Sequence, residues 1–221
     1  MKKLNIMFFG DSICTGQHVA IHQGWVTRTS ARLYDLGKKH SAELMVTNAS
    51  VNGRTTRQAL ECIHYEVQSH CPDAVIIQFG MNDCNYWESD KGLPRVSRQA
   101  FAANLCEIIA RVTTFGARRI FLNTNHPTTL DSETFPHTNI TYQQSNESYN
   151  QAVRELSEDL DVVLNDVERC FLDHVGGEGE KLEEMLLSSD QLHLSKKGHD
   201  LYLDYTYPRM ERAVLELLND G

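Results

Sequence analysis

The sequence predicts an α/β fold, a parallel sheet with helices packed on both faces. Three observations predict it. Short apolar runs recur along the chain, as strands buried on both sides require. Longer stretches with apolar residues at helical spacing separate them. Glycines, prolines and capping residues mark the joins. Strands alternating with helices form βαβ units, whose right-handed crossovers leave the strands parallel.

Leu4 to Phe9 is apolar apart from Asn5 and ends at Gly10, so it reads as a buried strand. Trp25 to Leu36 reads as a helix that Gly37 stops. Leu44 to Thr47 is the second strand. Thr55-Thr56-Arg57-Gln58 has the form of a capping box, in which a Thr hydroxyl and a Gln side chain satisfy each other's backbone N–H groups. The helix it opens runs to about His70, with Pro72 just beyond. Ala74 to Phe79 is the third strand, and a loop through Asn85 to Pro94 follows. Phe101, Leu105, Ile108, Ile109 and Val112 share one helical face, closed by Gly116. Cys106, within that pattern, reads as a small core residue. Arg119 to Asn123 is the fourth strand. A long polar loop containing Pro127 and Pro136 covers 126–144, Tyr149 to Leu160 is helical, and Val162 to Leu164 is a short fifth strand. Gly176, Gly177 and Gly179 mark a flexible turn, and Leu182 to Leu187 is a short helix. From Ser195 the chain is helical, with a break or kink at Pro208.

This order suits a flavodoxin-like, three-layer α/β/α arrangement around a five-stranded parallel sheet, in one domain over 1–221. The 221 residues suffice for a full core without staples. A net charge of −9 with no Lys/Arg run argues against a nucleic-acid partner. The cysteines (14, 62, 71, 84, 106, 170) form no C-x-x-C pair and no zinc-like spacing, so free thiols are expected, with no metal and no cofactor. The apolar run at 4–9 is too short for a leader core, and no stretch approaches the ~20 apolar residues of a membrane span. A cytoplasmic protein is expected.

Four segments carry potential chemistry. Gly10-Asp11-Ser12, Asn48 through Asn52-Gly53, and Gly80-Met81-Asn82-Asp83 follow the first three strands, hence share one edge of a parallel sheet, where such folds bind ligands. Asp190-Gln191-Leu192-His193 is the fourth. Together they resemble the four sequence blocks of the SGNH (GDSL-like) serine hydrolases: Ser in G-D-S, Gly after the second strand, Asn in G-x-N-D and His in D-x-x-H. Each pattern alone recurs by chance. All four occur in that family's order, each in its strand–turn context, from Gly10 to His193. The fourth letter of the signature is Ile13 here, which keeps an apolar group.

The resemblance implies an ester hydrolase with Ser12 as nucleophile, His193 as base and Asp190 orienting that base. The residues fit. A serine hydroxyl attacks only when a neighbouring base takes its proton. An aspartate three residues before a histidine can reach the imidazole within one turn and stabilise the imidazolium. The resemblance also implies an oxyanion hole made of the Ser12 N–H, the Gly53 N–H and the Asn82 side-chain amide. Glycine admits substrate close to the main chain, and an amide donates without carrying charge. Arg54, Trp87 and His126 are expected at the substrate, with Tyr86 and His137 as further candidates. Asp11 and Asp83 read as turn and loop supports.

Taken singly, each motif has a plain structural reading: Ser12 a cap, Gly53 a turn glycine, Asn82-Asp83 a loop opener. Their joint occurrence favours chemistry. The rim predicted from Asn85, Thr128, Thr129, Asn139 and Gln143 is polar, which suits a small acyl ester of a carbohydrate, an O-acetyl ester above all. The alternatives are a lysophospholipase or acyl thioesterase and a non-enzymatic flavodoxin-like binding module. Against the last, no G-x-G-x-x-G follows the first strand and no G-x-x-x-x-G-K-[ST] occurs. The expected partner is a small-molecule or glycan ester, with no membrane span.

Overall fold

A computed structural model describes residues 1–178 and 180–220. Its strands are β1 (Lys3–Gly10), β2 (Glu43–Asn48), β3 (Ala74–Gln78), β4 (Arg119–Asn123) and β5 (Val163–Asn165). All pair in parallel, in the order β2-β1-β3-β4-β5. This is the doubly wound arrangement the sequence predicts, with its winding reversed between β1 and β3. Those central strands are buried on both faces, as Phe8, Phe9, Val75, Ile76 and Ile77 show.

The helices are α1 (Ser12–Thr15), α2 (Trp25–Lys39), α3 (Thr56–Glu66), α4 (Arg98–Thr114), α5 (Tyr142–Asp159), α6 (Val167–Glu178), α7 (Leu182–Met185) and α8 (Lys196–Asn219). α2 packs on α8 and α8 on α6, while α3, α4 and α5 pack in succession. Trp25 ties one helical layer to the sheet. It meets Phe8 edge-on at 5.3 Å and stacks on Tyr202 at 4.3 Å. Its indole N–H donates to the Ile13 carbonyl at 2.9 Å, which anchors the turn after β1 from behind.

Several boundaries differ from expectation, each for a local reason. α2 continues through Gly37 to Lys39. A Cβ at Gly37 would lie 2.9 Å from the Ala42 carbonyl, so the glycine admits the approach to β2 instead of ending the helix. α3 stops at Glu66 and a 3-10 turn, Gln68–His70, completes the segment. α5 begins at Tyr142, well before Tyr149, with Thr141 and Gln144 forming a second capping box. The buried face of its first turns holds Tyr142, Ser145, Asn146 and Tyr149, which is polar enough to read as loop. Gly176 and Gly177 lie inside α6 and not in a turn; packing of buried Val167 and Phe171 overrides glycine's low helix propensity. Gly179 lies outside the described residues. α8 runs unbroken through Pro208. Pro208 and Asp204, the residue whose carbonyl loses its i+4 donor, are both exposed, so the lost bond lies at the protein surface. Cys106 is exposed, beside the apolar stripe of α4 and not in it. Among the described residues no helix is long and apolar enough to cross a membrane.

Candidate active site

The site forms where β1, β2 and β3 end. Gly10 lets β1 and β3 close up: a Cβ there would lie 2.6 Å from the Gln78 carbonyl. Asp11 then caps α1, its Oδ1 accepting the Ile13 N–H at 3.0 Å. Ser12 becomes the first residue of that short helix, and its hydroxyl meets a loop from the far end of the chain. The turn before α8 folds back on itself, with Gln191 in the left-handed region (φ +56°). Asp190 Oδ1 accepts the N–H groups of Leu192 and His193, both at 3.0 Å. Its Oδ2 lies 2.8 Å from His193 Nδ1, and His193 Nε2 lies 2.9 Å from Ser12 Oγ. Partial burial opposes ionisation of Asp190, but the two backbone donors and the imidazole outweigh it and hold the carboxyl below its usual range. An ionised carboxylate only accepts, so the Nδ1 carries the proton and Nε2 is left to accept the serine's.

The three candidate oxyanion donors face the same space. The N–H groups of Ser12 and Gly53 have no acceptor among the described residues. Gly53 sits at φ +76°, with open space where a Cβ would be; its conformation, and not crowding, calls for glycine. Asn82 Nδ2 approaches Asp11 Oδ2 at 3.4 Å, while Asn82 Oδ1 accepts from Arg95 Nη1 at 3.3 Å. Asp83 joins two loops: its Oδ1 accepts the Thr56 N–H at 2.9 Å and the Thr56 hydroxyl, just past Gly53. The resulting pocket, about 400 Å³, is lined by Ser12, Asn52, Gly53, Asn82, Asn85 and His193 among others.

Two buried carboxylates lie beneath this floor. Burial pushes Asp11 up to about 7 and Asp83 up to about 6. For Asp11 the folded pKa exceeds the unfolded value near 3.9, so the folded state holds its proton longer and stability falls as pH rises from about 4 to about 7. Asp11→Asn removes the ionisation and keeps the bond to the Ile13 N–H, while its Nδ2 gives up the contact that Oδ2 accepts from Asn82. Its melting temperature is expected to gain on that of wild type as pH rises from 4 to 8. Equal pH slopes for the two proteins between those limits would refute the assignment.

Arg54, Trp87 and His126, expected at the substrate, do not line the pocket that holds Ser12 and His193. Arg54 is buried against Glu66 (Nη2 to Oε1, 2.8 Å) and the Ala49 carbonyl. Arg54→Ala should therefore lower stability by about 3 kcal/mol, because it strands a partly buried charge. KM should stay within about two-fold of wild type; a selective rise in KM would restore Arg54 to substrate binding. His126 is wholly buried, with its Nε2 donating to the Leu192 carbonyl at 2.8 Å. Burial pushes it down to about 4, so it is a neutral strut behind the His193 loop. Trp87 is half exposed and carries the Arg95 guanidinium 4.4 Å above its ring. Tyr86 stacks on Phe135, and His137 pairs with Glu88. Motif reading passed over Arg95 and Tyr142. No local pattern marks the first. The Thr141/Gln144 capping box was the available signal for the second.

A doubly wound sheet with a serine, imidazole and carboxylate aligned at its C-terminal edge is an arrangement that can activate a serine hydroxyl for nucleophilic attack. The family model of the GDSL-like lipase/acylhydrolase family matches residues 8–201, and the chain belongs to that family. An arylesterase from Vibrio mimicus is 26% identical over 122 residues, 55% of each chain, so the match spans about half of that relative's length. A protein named uncharacterized lipoprotein YqeF from Bacillus subtilis (strain 168) is 26% identical, covering 98% of this chain and 88% of its own. The crystal structure of an acetyl xylan esterase, AlAXEase, superposes with a TM-score of 0.73 at 20% identity, covering 93% of this chain and 99% of that one; at that identity it shows the shared fold.

Proposed function

We propose that the protein removes small acyl groups, acetyl above all, from a carbohydrate through an acyl-enzyme on Ser12. The row from Asp190 through His193 to Ser12, opening into an amide-walled pocket, carries this reading. Ser12 Oγ attacks the ester carbonyl while His193 Nε2 takes its proton, and Asp190 stabilises the imidazolium. The N–H groups of Ser12, Gly53 and Asn82 receive the charge that develops on the carbonyl oxygen. The intermediate collapses, and His193 returns the proton to the departing alcohol. Water then repeats the sequence on the acyl-enzyme and releases the acid.

The walls support a short acyl group. Gln17, Asn52, Asn82 and Asn85 line the pocket, and its apolar side chains are Met81, Leu192 and Tyr142. A long acyl chain needs a more extensive apolar surface. A second cleft of about 370 Å³ shares Tyr142 and adds Ser132, Glu133, Thr134, Phe135 and Gln191. An aromatic ring beside hydroxyl, carboxylate and amide groups suits the polar alcohol side of a sugar ester. A p-nitrophenyl ester series from acetyl to palmitoyl, with acetylated xylo-oligosaccharides alongside, tests the reading. Activity should peak at acetyl and extend to the sugar; a peak at long chains favours the lysophospholipase or thioesterase alternative. Absence of Ser12 labelling by a fluorophosphonate would favour the binding module. The proposed location is the cytoplasm, where six free thiols stay reduced. Since one relative is named a lipoprotein, fractionation decides, and recovery with membranes overturns it.

A further inference from the structure

Asn82 and Gly53 belong to different loops, one after β3 and the other after β2, so no short covalent path sets their separation. An asparagine amide can also turn over, exchanging its N–H₂ for a carbonyl oxygen that would repel an oxyanion. Arg95 addresses both problems. Its Nη1 donates to Asn82 Oδ1 at 3.3 Å and its Nη2 to the Gly53 carbonyl at 3.2 Å. The guanidinium lies 4.4 Å above the Trp87 ring, and the Arg95 backbone N–H donates to the Asn85 carbonyl at 2.9 Å. The fork is thus held by its stem, by the face of an aromatic ring and by its two acceptors. With Oδ1 engaged by a cation, turning the amide over would set N–H against N–H. Anchoring the Gly53 carbonyl restrains a glycine, the residue type with most backbone freedom.

We propose that Arg95 is a positioning residue for the oxyanion hole, a planar clamp that keeps the Asn82 amide in its donating orientation and at a set distance from Gly53. This rests on the esterase reading. Arg95 acts through its two acceptors and touches no reacting atom. A lysine does not replace it, because one ammonium on a flexible stem does not reproduce a rigid two-pronged donor.

The test joins kinetics on p-nitrophenyl acetate with ¹⁵N relaxation of the Asn82 side-chain amide. Arg95→Ala should lower kcat by about 10–100-fold, less than outright loss of an oxyanion donor, with KM within about two-fold. Arg95→Lys should remain at least about five-fold below wild type in kcat; full recovery would show that charge alone suffices and overturn the clamp. In an Asn82→Ala background the same Arg95→Ala change should cost less than about three-fold, because the clamped group is gone. Additive losses would mark Arg95 as a general stabiliser and overturn the proposal. The relaxation readout needs no turnover: the order parameter of the Asn82 amide should fall in Arg95→Ala into the flexible range, below about 0.6. An amide equally rigid in both proteins overturns the clamp, even if wild type cleaves no ester. Should Arg95→Ala not fold, Arg95→Lys is read by the same two criteria.

Discussion

Ser12→Ala is expected to lower kcat by on the order of 10⁵–10⁶-fold while leaving the fold intact. The two halves of this expectation have separate causes. Ser12 Oγ is the only atom in the pocket within hydrogen-bond reach of His193 Nε2 among the described residues, so its removal leaves the base with nothing to activate. The helix it begins does not depend on that hydroxyl. Asp11 supplies the cap, the Thr15 hydroxyl bonds the Ser12 backbone carbonyl, and Trp25 holds Ile13 from behind. Stability should therefore change by no more than about 1 kcal/mol. Steady-state turnover and thermal melting check both halves, and fluorophosphonate labelling should disappear with the hydroxyl. A variant retaining a tenth of wild-type turnover would remove Ser12 from the mechanism.

Asp190→Asn should cost about 10⁴-fold in kcat, with little change in melting temperature. Here one atom changes role. The Asn Oδ1 can still accept the Leu192 and His193 N–H groups, so the turn keeps its scaffold. The Nδ2 that replaces Oδ2 faces His193 Nδ1 at 2.8 Å and is a donor. It selects the tautomer with its proton on Nε2, which then cannot take the proton of Ser12. The imidazolium also loses its counter-charge. Asp190→Ala should show a comparable loss in rate together with a lower melting temperature, since the two backbone bonds go as well. Loss confined to KM, or near-normal kcat in the Asn variant, would contradict the proposed geometry.

Some of this site was legible because the information is local. A G-D-S turn after a strand, a glycine after the next and an Asn-Asp after the third lie at one edge by topology alone. Asp190 and His193 are three residues apart, a separation that a single turn closes. The second capping box, Thr141 with Gln144, was equally local, yet a polar buried face disguised the helix behind it. Arg54, beside Gly53, and His126, in the long loop after the fourth strand, are the substrate contacts that sequence position suggests. Their side chains turn away, to Glu66 and to the Leu192 carbonyl. Sequence proximity to a site sets where a backbone passes, and partners far along the chain set where a long side chain points.

The sequence by itself determined the layers, the parallel sheet and the edge at which the chemistry-bearing residues gather, because strand length, apolar runs and turn residues act over a few positions. Tertiary structure alone decided that the Ser12 hydroxyl and the His193 imidazole meet at 2.9 Å across most of the chain. It likewise decided that Arg95 spans Asn82 and Gly53. Those contacts depend on the packing of α8 against α2 and on how far each loop projects, and both follow from the summed burial of many side chains, which no single motif encodes.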